Sequence, residues 1–180
     1  MKITKTPFEG LLIIEPDIFE DSRGLFLESY SRKEFQKSGV DLEFVQDNQS
    51  HSVKNVIRGL HFQRAPYAQT KLMRALYGTI LDVAVDLRKD QPTFKKVFAL
   101  ELSANTKLQL LIPKGFAHGF SVLTDVAGIM YKCDEYYHAE SGAGIRFDDP
   151  ELAIDWRVKN SEALLSEKDL ALPSFRMASL

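Results

Sequence analysis

The sequence predicts an all-β fold, a sandwich or barrel of short strands with helices only at its margins. Three observations predict it. Short apolar runs recur through the middle of the chain, each closed by turn residues. One of them alternates with a period of two. Helical signals are few, weak and confined to the margins, so alternating βαβ units are excluded.

The elements follow in chain order. Leu11–Glu15 is the first strand, and Leu25–Glu28 follows the turn Asp21-Ser22-Arg23-Gly24. Arg32–Ser38 carries a lone Phe35 and ends at Gly39, which predicts a short helix. Phe44–Gln46, Val56–Phe62 and Leu72–Leu76 are strand candidates, the last closed by Tyr77-Gly78. In the next run Leu81, Val83, Val85 and Leu87 alternate with Ile80, Asp82, Ala84 and Asp86. One face is therefore apolar and the other carries two carboxylates. Val97–Leu102, Leu108–Ile112, Phe116–Leu123 and Gly128–Tyr131 continue the series, punctuated by Gln91-Pro92 and Pro113-Lys114-Gly115. After the turn Asp149-Pro150, Ser161–Leu170 reads as a second short helix with a Ser cap, ending near Pro173.

The 180 residues predict one domain, 1–180. Apolar residues are 44% and charged residues 27%, an ordinary globular composition that excludes a disordered tail or a collagen. A net charge of −2 offers no basic excess to hold nucleic acid or an anionic membrane. The single cysteine, Cys133, cannot form an internal disulfide, and no long apolar run is present. The expected location is the cytoplasm.

Several residues have chemistry to offer. His61 lies in Arg58-Gly59-Leu60-His61-Phe62-Gln63. Strict alternation puts Arg58, Leu60 and Phe62 on one face and Gly59, His61 and Gln63 on the other. His61 reads either as a general base or as a hydrogen-bonded core histidine, and for a lone strand histidine the second is the commoner. A metal site would favour His at position 63, where Gln stands, so a catalytic metal is not expected. His118 stands between Phe116 and Phe120 on one strand face, a pocket-wall position from which Asp82 is one possible partner. Tyr131 is a proton donor or a core tyrosine. Of the neighbours Tyr136 and Tyr137, one could face a pocket and stack on a base. Lys71 is an edge lysine or an enolate stabiliser. Arg23 and Arg58 are surface residues or a diphosphate clamp. Glycine-rich phosphate loops and the Gly-x-Ser-x-Gly elbow are missing.

The order of these segments changes their weight. Phe19-Glu20-Asp21-Ser22-Arg23-Gly24-Leu25-Phe26-Leu27-Glu28-Ser29-Tyr30, Phe44–Ser50, Val56–Gln63, Ala68–Leu72 and Gly78–Arg88 follow one another, then Pro92-Thr93-Phe94, Ile112–Phe120, Tyr131-Lys132 and Asp148-Asp149-Pro150. In this collinear order the chain resembles the dTDP-4-dehydrorhamnose 3,5-epimerase family over nearly its whole length.

The resemblance implies a cupin-like jelly-roll barrel with short peripheral helices. It also implies no metal or cofactor, and a homodimer that shares N-terminal strands. The implied substrate is a dTDP-linked 4-keto-6-deoxyhexose and the product dTDP-4-dehydro-L-rhamnose, on the way to dTDP-L-rhamnose. His61 resembles the base at C3 and C5, and Asp169 its carboxylate partner. Tyr131 resembles the acid on the opposite face and Lys71 the cation near the C4 oxygen. Arg23, Glu28, Gln46, Asp47, Asn48, Arg58, His118 and Lys168 match substrate-contacting positions, and Tyr137 the ring that stacks on thymine. Three positions depart from the pattern: Gly142 stands for a glutamate, whose contact is lost or supplied by Glu140, Phe147 for a tryptophan, and Arg157 for a proline. An epimerase acting at C3 or C5 alone shares the same acid–base set. A non-catalytic sugar-nucleotide module or a metal-dependent oxygenase is a reading of another class.

Overall fold

Side chains that alternate across short strands build two sheets that face each other. The structure, a computed structural model, describes residues 1–180. The strands are β1 (Lys2–Lys5), β2 (Leu12–Glu15), β3 (Ile18–Asp21), β4 (Gly24–Leu27), β5 (Gln46–Val53), β6 (Ile57–Gln63) and β7 (Lys71–Tyr77). They continue with β8 (Thr79–Asp86), β9 (Val97–Ser103), β10 (Gln109–Ile112), β11 (Phe116–Val122), β12 (Val126–Cys133) and β13 (Gly142–Gly144). Two short helices are α1 (Arg32–Lys37) and α2 (Glu167–Leu170). One sheet runs β1-β2-β10-β7-β12-β5 and the other β13-β6-β11-β8-β9, while β3 and β4 pair only with each other. The fold is a cupin-like jelly roll, as expected.

Apolar side chains form three layers. Met73, Ile80, Leu102, Leu110, Phe120 and Ile129 meet between the sheets. Leu81, Val83 and Val85 bury the outer face of the second sheet under Phe147, Trp156 and Phe175 of the C-terminal segment. Ile14, Leu72 and Leu111 are covered by Phe35 of α1. Both faces of β8 are thus buried, and its carboxylates point inward: Asp82 meets His118, and Asp86 meets Arg88 and Thr93. Gly78, at φ +71°, lets the chain pass from β7 to β8, because a Cβ there would lie 2.2 Å from the Val126 carbonyl oxygen.

Three expectations need correction. The predicted strand Phe44–Gln46 is replaced by β5, Gln-Asp-Asn-Gln-Ser-His-Ser-Val, which carries no apolar alternation. Its inward residues are polar, and Ser50 among them lines the cleft, so the apolar signal vanishes. The second helix is a single turn, α2, and its cap is Ser166, whose Oγ accepts the Asp169 N–H at 3.1 Å. Residues 161–165 are not helical, because Leu164 exchanges backbone bonds with Asn55 and Ile57. The alternation along β6 is also broken. Its register with β11 shifts between His118 and Phe120. Arg58 and His61, three residues apart, therefore face one cleft.

Candidate active site

The cleft lies between the two sheets and has two chambers of about 210 and 250 Å³. His61, Lys71, Tyr131 and Lys168 line both. His61 comes from β6 in one sheet, Tyr131 and Lys71 from β12 and β7 in the other, so the histidine and the tyrosine occupy facing walls. Arg58, His118, Ser50, Met73, Phe120 and Asp169 complete one chamber. Tyr137, Gln69, Gly142 and Ala143 help to close the other. A larger cavity of about 640 Å³ lies beside the N-terminal strands and the Ser38–Leu42 loop, without a histidine or a tyrosine in its wall.

Each cleft histidine has its own carboxylate. His61 Nε2 and Asp169 Oδ1 are 2.6 Å apart, with Asp169 almost fully buried and His61 partly open to the cleft. Burial pulls the Asp169 carboxyl up, but the His61 bond, the Gly59 amide and the Ser166 hydroxyl outweigh it and hold the pKa below the ordinary carboxylate value. Asp169 therefore stays ionised and accepts from Nε2–H, which leaves the Nδ1 lone pair free. His118 Nε2 lies 2.7 Å from Asp82 Oδ1, and the second Asp82 oxygen has no partner. Burial pushes the His118 pKa down against the attraction of Asp82, so this ring stays neutral at neutral pH.

The facing wall is tuned in two directions. Burial lowers the Lys71 pKa, opposed by Cys133 and Asp82. Burial raises the Tyr131 phenol above its ordinary value, so it keeps its proton. Burial also lifts the Cys133 thiol to about 11, so it is no nucleophile. No three His, Cys, Asp or Glu side chains converge closely enough to hold a metal ion.

The other expected residues divide into two groups. Lys168 and Tyr137 reach the cleft. Gln46 and Asn48 lie on the inward side of β5 and bond to each other at 3.0 Å. Asp47, between them, points to the opposite face and pairs with Lys132 at 2.9 Å. It is thus removed from the cleft by the strand's own period. Arg23 pairs with Asp21 in the exposed β3–β4 turn, and Glu28 is exposed just beyond β4, so neither lines its own chain's cleft. Gly142 lines the cleft, whereas Glu140 does not. Ser50, Met73, Phe120 and Gln69 were not expected here. Parity with Asn48, Lys71 and His118 could have pointed to Ser50, Met73 and Phe120; Gln69, ahead of β7, carried no such signal.

A family model described as dTDP-4-dehydrorhamnose 3,5-epimerase matches residues 5–177. The Escherichia coli K12 protein of that name is 51% identical over 170 residues, 94% of this chain and 91% of that one. The crystal structure of the Bacillus anthracis enzyme, with TDP and PPi bound, superposes with a TM-score of 0.93 at 50% identity, covering 97% of this chain and 99% of that one. The Legionella pneumophila enzyme, in complex with dTDP-4-keto-L-rhamnose, gives a TM-score of 0.93 at 46% identity over 98% and 93% of the two chains. Fold, cleft and sequence therefore converge, and the chain belongs to the dTDP-4-dehydrorhamnose 3,5-epimerase family.

Proposed function

We propose that this protein converts dTDP-4-dehydro-6-deoxy-D-glucose to dTDP-4-dehydro-L-rhamnose by inverting C3 and C5. The observation that carries the reading is the His61–Asp169 pair on one wall of the cleft, with Tyr131 on the other. A proton beside a ketone is acidic because its loss places charge on the carbonyl oxygen. His61 Nδ1 takes that proton, and Asp169 stabilises the imidazolium that forms. Lys71 stabilises the enolate oxygen. Tyr131 O–H returns a proton to the other face of the same carbon, which inverts it. His61 then loses its proton to water and Tyr131 regains one, and the second centre follows the same course. Arg58, His118, Lys168 and Asn48 hold the nucleotide sugar, and Tyr137 takes the thymine. The reaction draws on no metal or cofactor. The amide at Gln63, where a metal-binding strand would place a second histidine, supports this.

The active species is a homodimer in the cytoplasm. An isolated two-stranded hairpin is marginal in water, yet β3–β4 pairs with no other strand and exposes Phe19 (62%) and Phe26 (69%). In the dimer this hairpin enters the partner, carrying Arg23 and Glu28 with it. The buried free thiol of Cys133 suits a reducing compartment. No helix is long and apolar enough to cross a membrane.

Incubation with dTDP-4-keto-6-deoxy-D-glucose in D₂O tests the reaction. Deuterium at both C3 and C5 of the product, located by NMR, is expected. Deuterium at one carbon assigns the chain to the single-site epimerases. Bound nucleotide sugar with no exchange makes it a binding module and removes the roles above.

A further inference from the structure

The segment that follows β12 is pinned from both sheets. In a trans peptide the C=O and N–H point in opposite directions. The Tyr136 carbonyl accepts from Gln63 Nε2 at 3.1 Å, and the Tyr137 N–H of the same peptide donates to Gln46 Oε1 at 2.9 Å. Gln63 ends β6 in one sheet, and Gln46 opens β5 at the edge of the other. One peptide plane thus bridges the two sheets. The next N–H, of His138, donates to Gln63 Oε1 at 2.7 Å. Gln63 Nε2 also donates to the Tyr67 carbonyl at 2.6 Å, and the His138 ring lies flat on Tyr67 with centroids 3.8 Å apart.

The Gln63 side chain is buried and fully committed: both N–H donors and its oxygen meet backbone groups. Only a primary amide places two donors and an acceptor on one short stem, so neither glutamate nor histidine reproduces the pattern. Tyr137, by contrast, is 62% exposed as a residue and lines the cleft. Its backbone is fixed while its ring is left open. Ligand binding is weakened when a contact group must first be ordered.

We propose that Gln63 and Gln46 are positioning residues that clamp this strap, so that the Tyr137 ring stands as a ready stacking face for the nucleobase. The proposal rests on the reading that the nucleotide end of the substrate lies on Tyr137. Neither glutamine takes part in proton transfer. Their loss weakens binding and leaves the chemical step.

Gln63→Leu, Gln63→Glu and the less buried Gln46→Ala test this, each alone and with Tyr137→Ala. The readouts are kcat, KM, dTDP affinity by calorimetry and ligand-free hydrogen exchange at residues 137 and 138. In Gln63→Leu, KM and the dTDP dissociation constant are expected to rise about tenfold, with kcat within about threefold of the parent. Exchange at the Tyr137 and His138 amides accelerates. In the Tyr137→Ala background the Gln63 change adds little, because both act through one ring. Gln46→Ala shifts KM in the same direction and keeps the test open if Gln63 variants fail to fold. The clamp is overturned if exchange is unchanged, if kcat falls as far as kcat/KM, or if the two changes are fully additive. A parent protein that binds no dTDP refutes the nucleotide reading and, with it, the purpose given to the clamp. A parent that binds, beside Gln63 and Gln46 variants that bind equally well, refutes the clamp alone.

Discussion

Lys71 and Tyr131 are neighbours on β7 and β12, with Lys71 Nζ 6.0 Å from the tyrosine ring centre. Burial acts on both, in opposite directions, because it disfavours an ammonium cation and a phenolate anion alike. The Lys71 pKa falls from its ordinary 10.5, and that of Tyr131 rises from 10.0. The proposed role of Lys71 needs its charge, and that of Tyr131 its proton. As pH rises, Lys71 loses its charge earlier than an exposed lysine, and Tyr131 keeps its proton longer than an exposed tyrosine. Turnover should therefore decline on the alkaline side at a pH below 10.5. Lys71→Arg, whose charge persists, should move that decline upward whatever its absolute rate, and Tyr131→Phe should leave it in place. A pH profile of kcat for the three proteins decides this, and a decline that vanishes in Tyr131→Phe would reverse the two assignments. At this scale the sequence was readable wherever a strand kept its period. Lys71, Tyr131 and His118 fall where alternation predicts, whereas the β6 bulge turns Arg58 into the cleft beside His61. Asp47 faces away for the converse reason: β5 alternates regularly, and its inward residues are Gln46, Asn48 and Ser50.

The element that matters most for its size is α2. It has four residues, too few to persist alone, and three contacts hold it. Ser166 caps its first turn, Leu164 docks on the chain entering β6, and Asp169 reaches His61. Ser166→Ala should cost about 0.5–2 kcal/mol of stability, the usual worth of such a cap. Because the same turn carries Asp169, kcat should also fall, more than in Glu167→Ala, whose side chain makes no recorded bond. Urea denaturation read beside steady-state rates checks both, and an unchanged kcat in Ser166→Ala would show that Asp169 keeps its place without the cap. The sequence overstated this helix because its only local signals were a serine cap and a proline stop. The bond that ends it, Leu164 to Asn55, joins residues far apart in the chain. The same applies to β1, β3 and β13, short strands whose identity comes from their partners rather than their composition.

For the whole molecule, the apolar periods of β7 to β12 were enough to predict two packed β-layers. Strand order and the sharing of one cleft by both sheets depend on pairings that no local pattern records. The exposed β3–β4 hairpin completes this picture, since Arg23 and Glu28 lie outside the cleft of the chain that carries them. If each subunit lends that hairpin to the other, a cleft has two owners. Defects then become separable in the manner of genetic complementation. A protein with Arg23→Ala and a protein with His61→Ala should each be inactive. Unfolded together and refolded as an equal mixture, they form mixed dimers in which one cleft combines an intact histidine with an intact arginine. Activity should return to about a quarter of the parental value, the share of clefts that random pairing repairs. A mixture that stays silent would mean that every cleft is built from one chain alone.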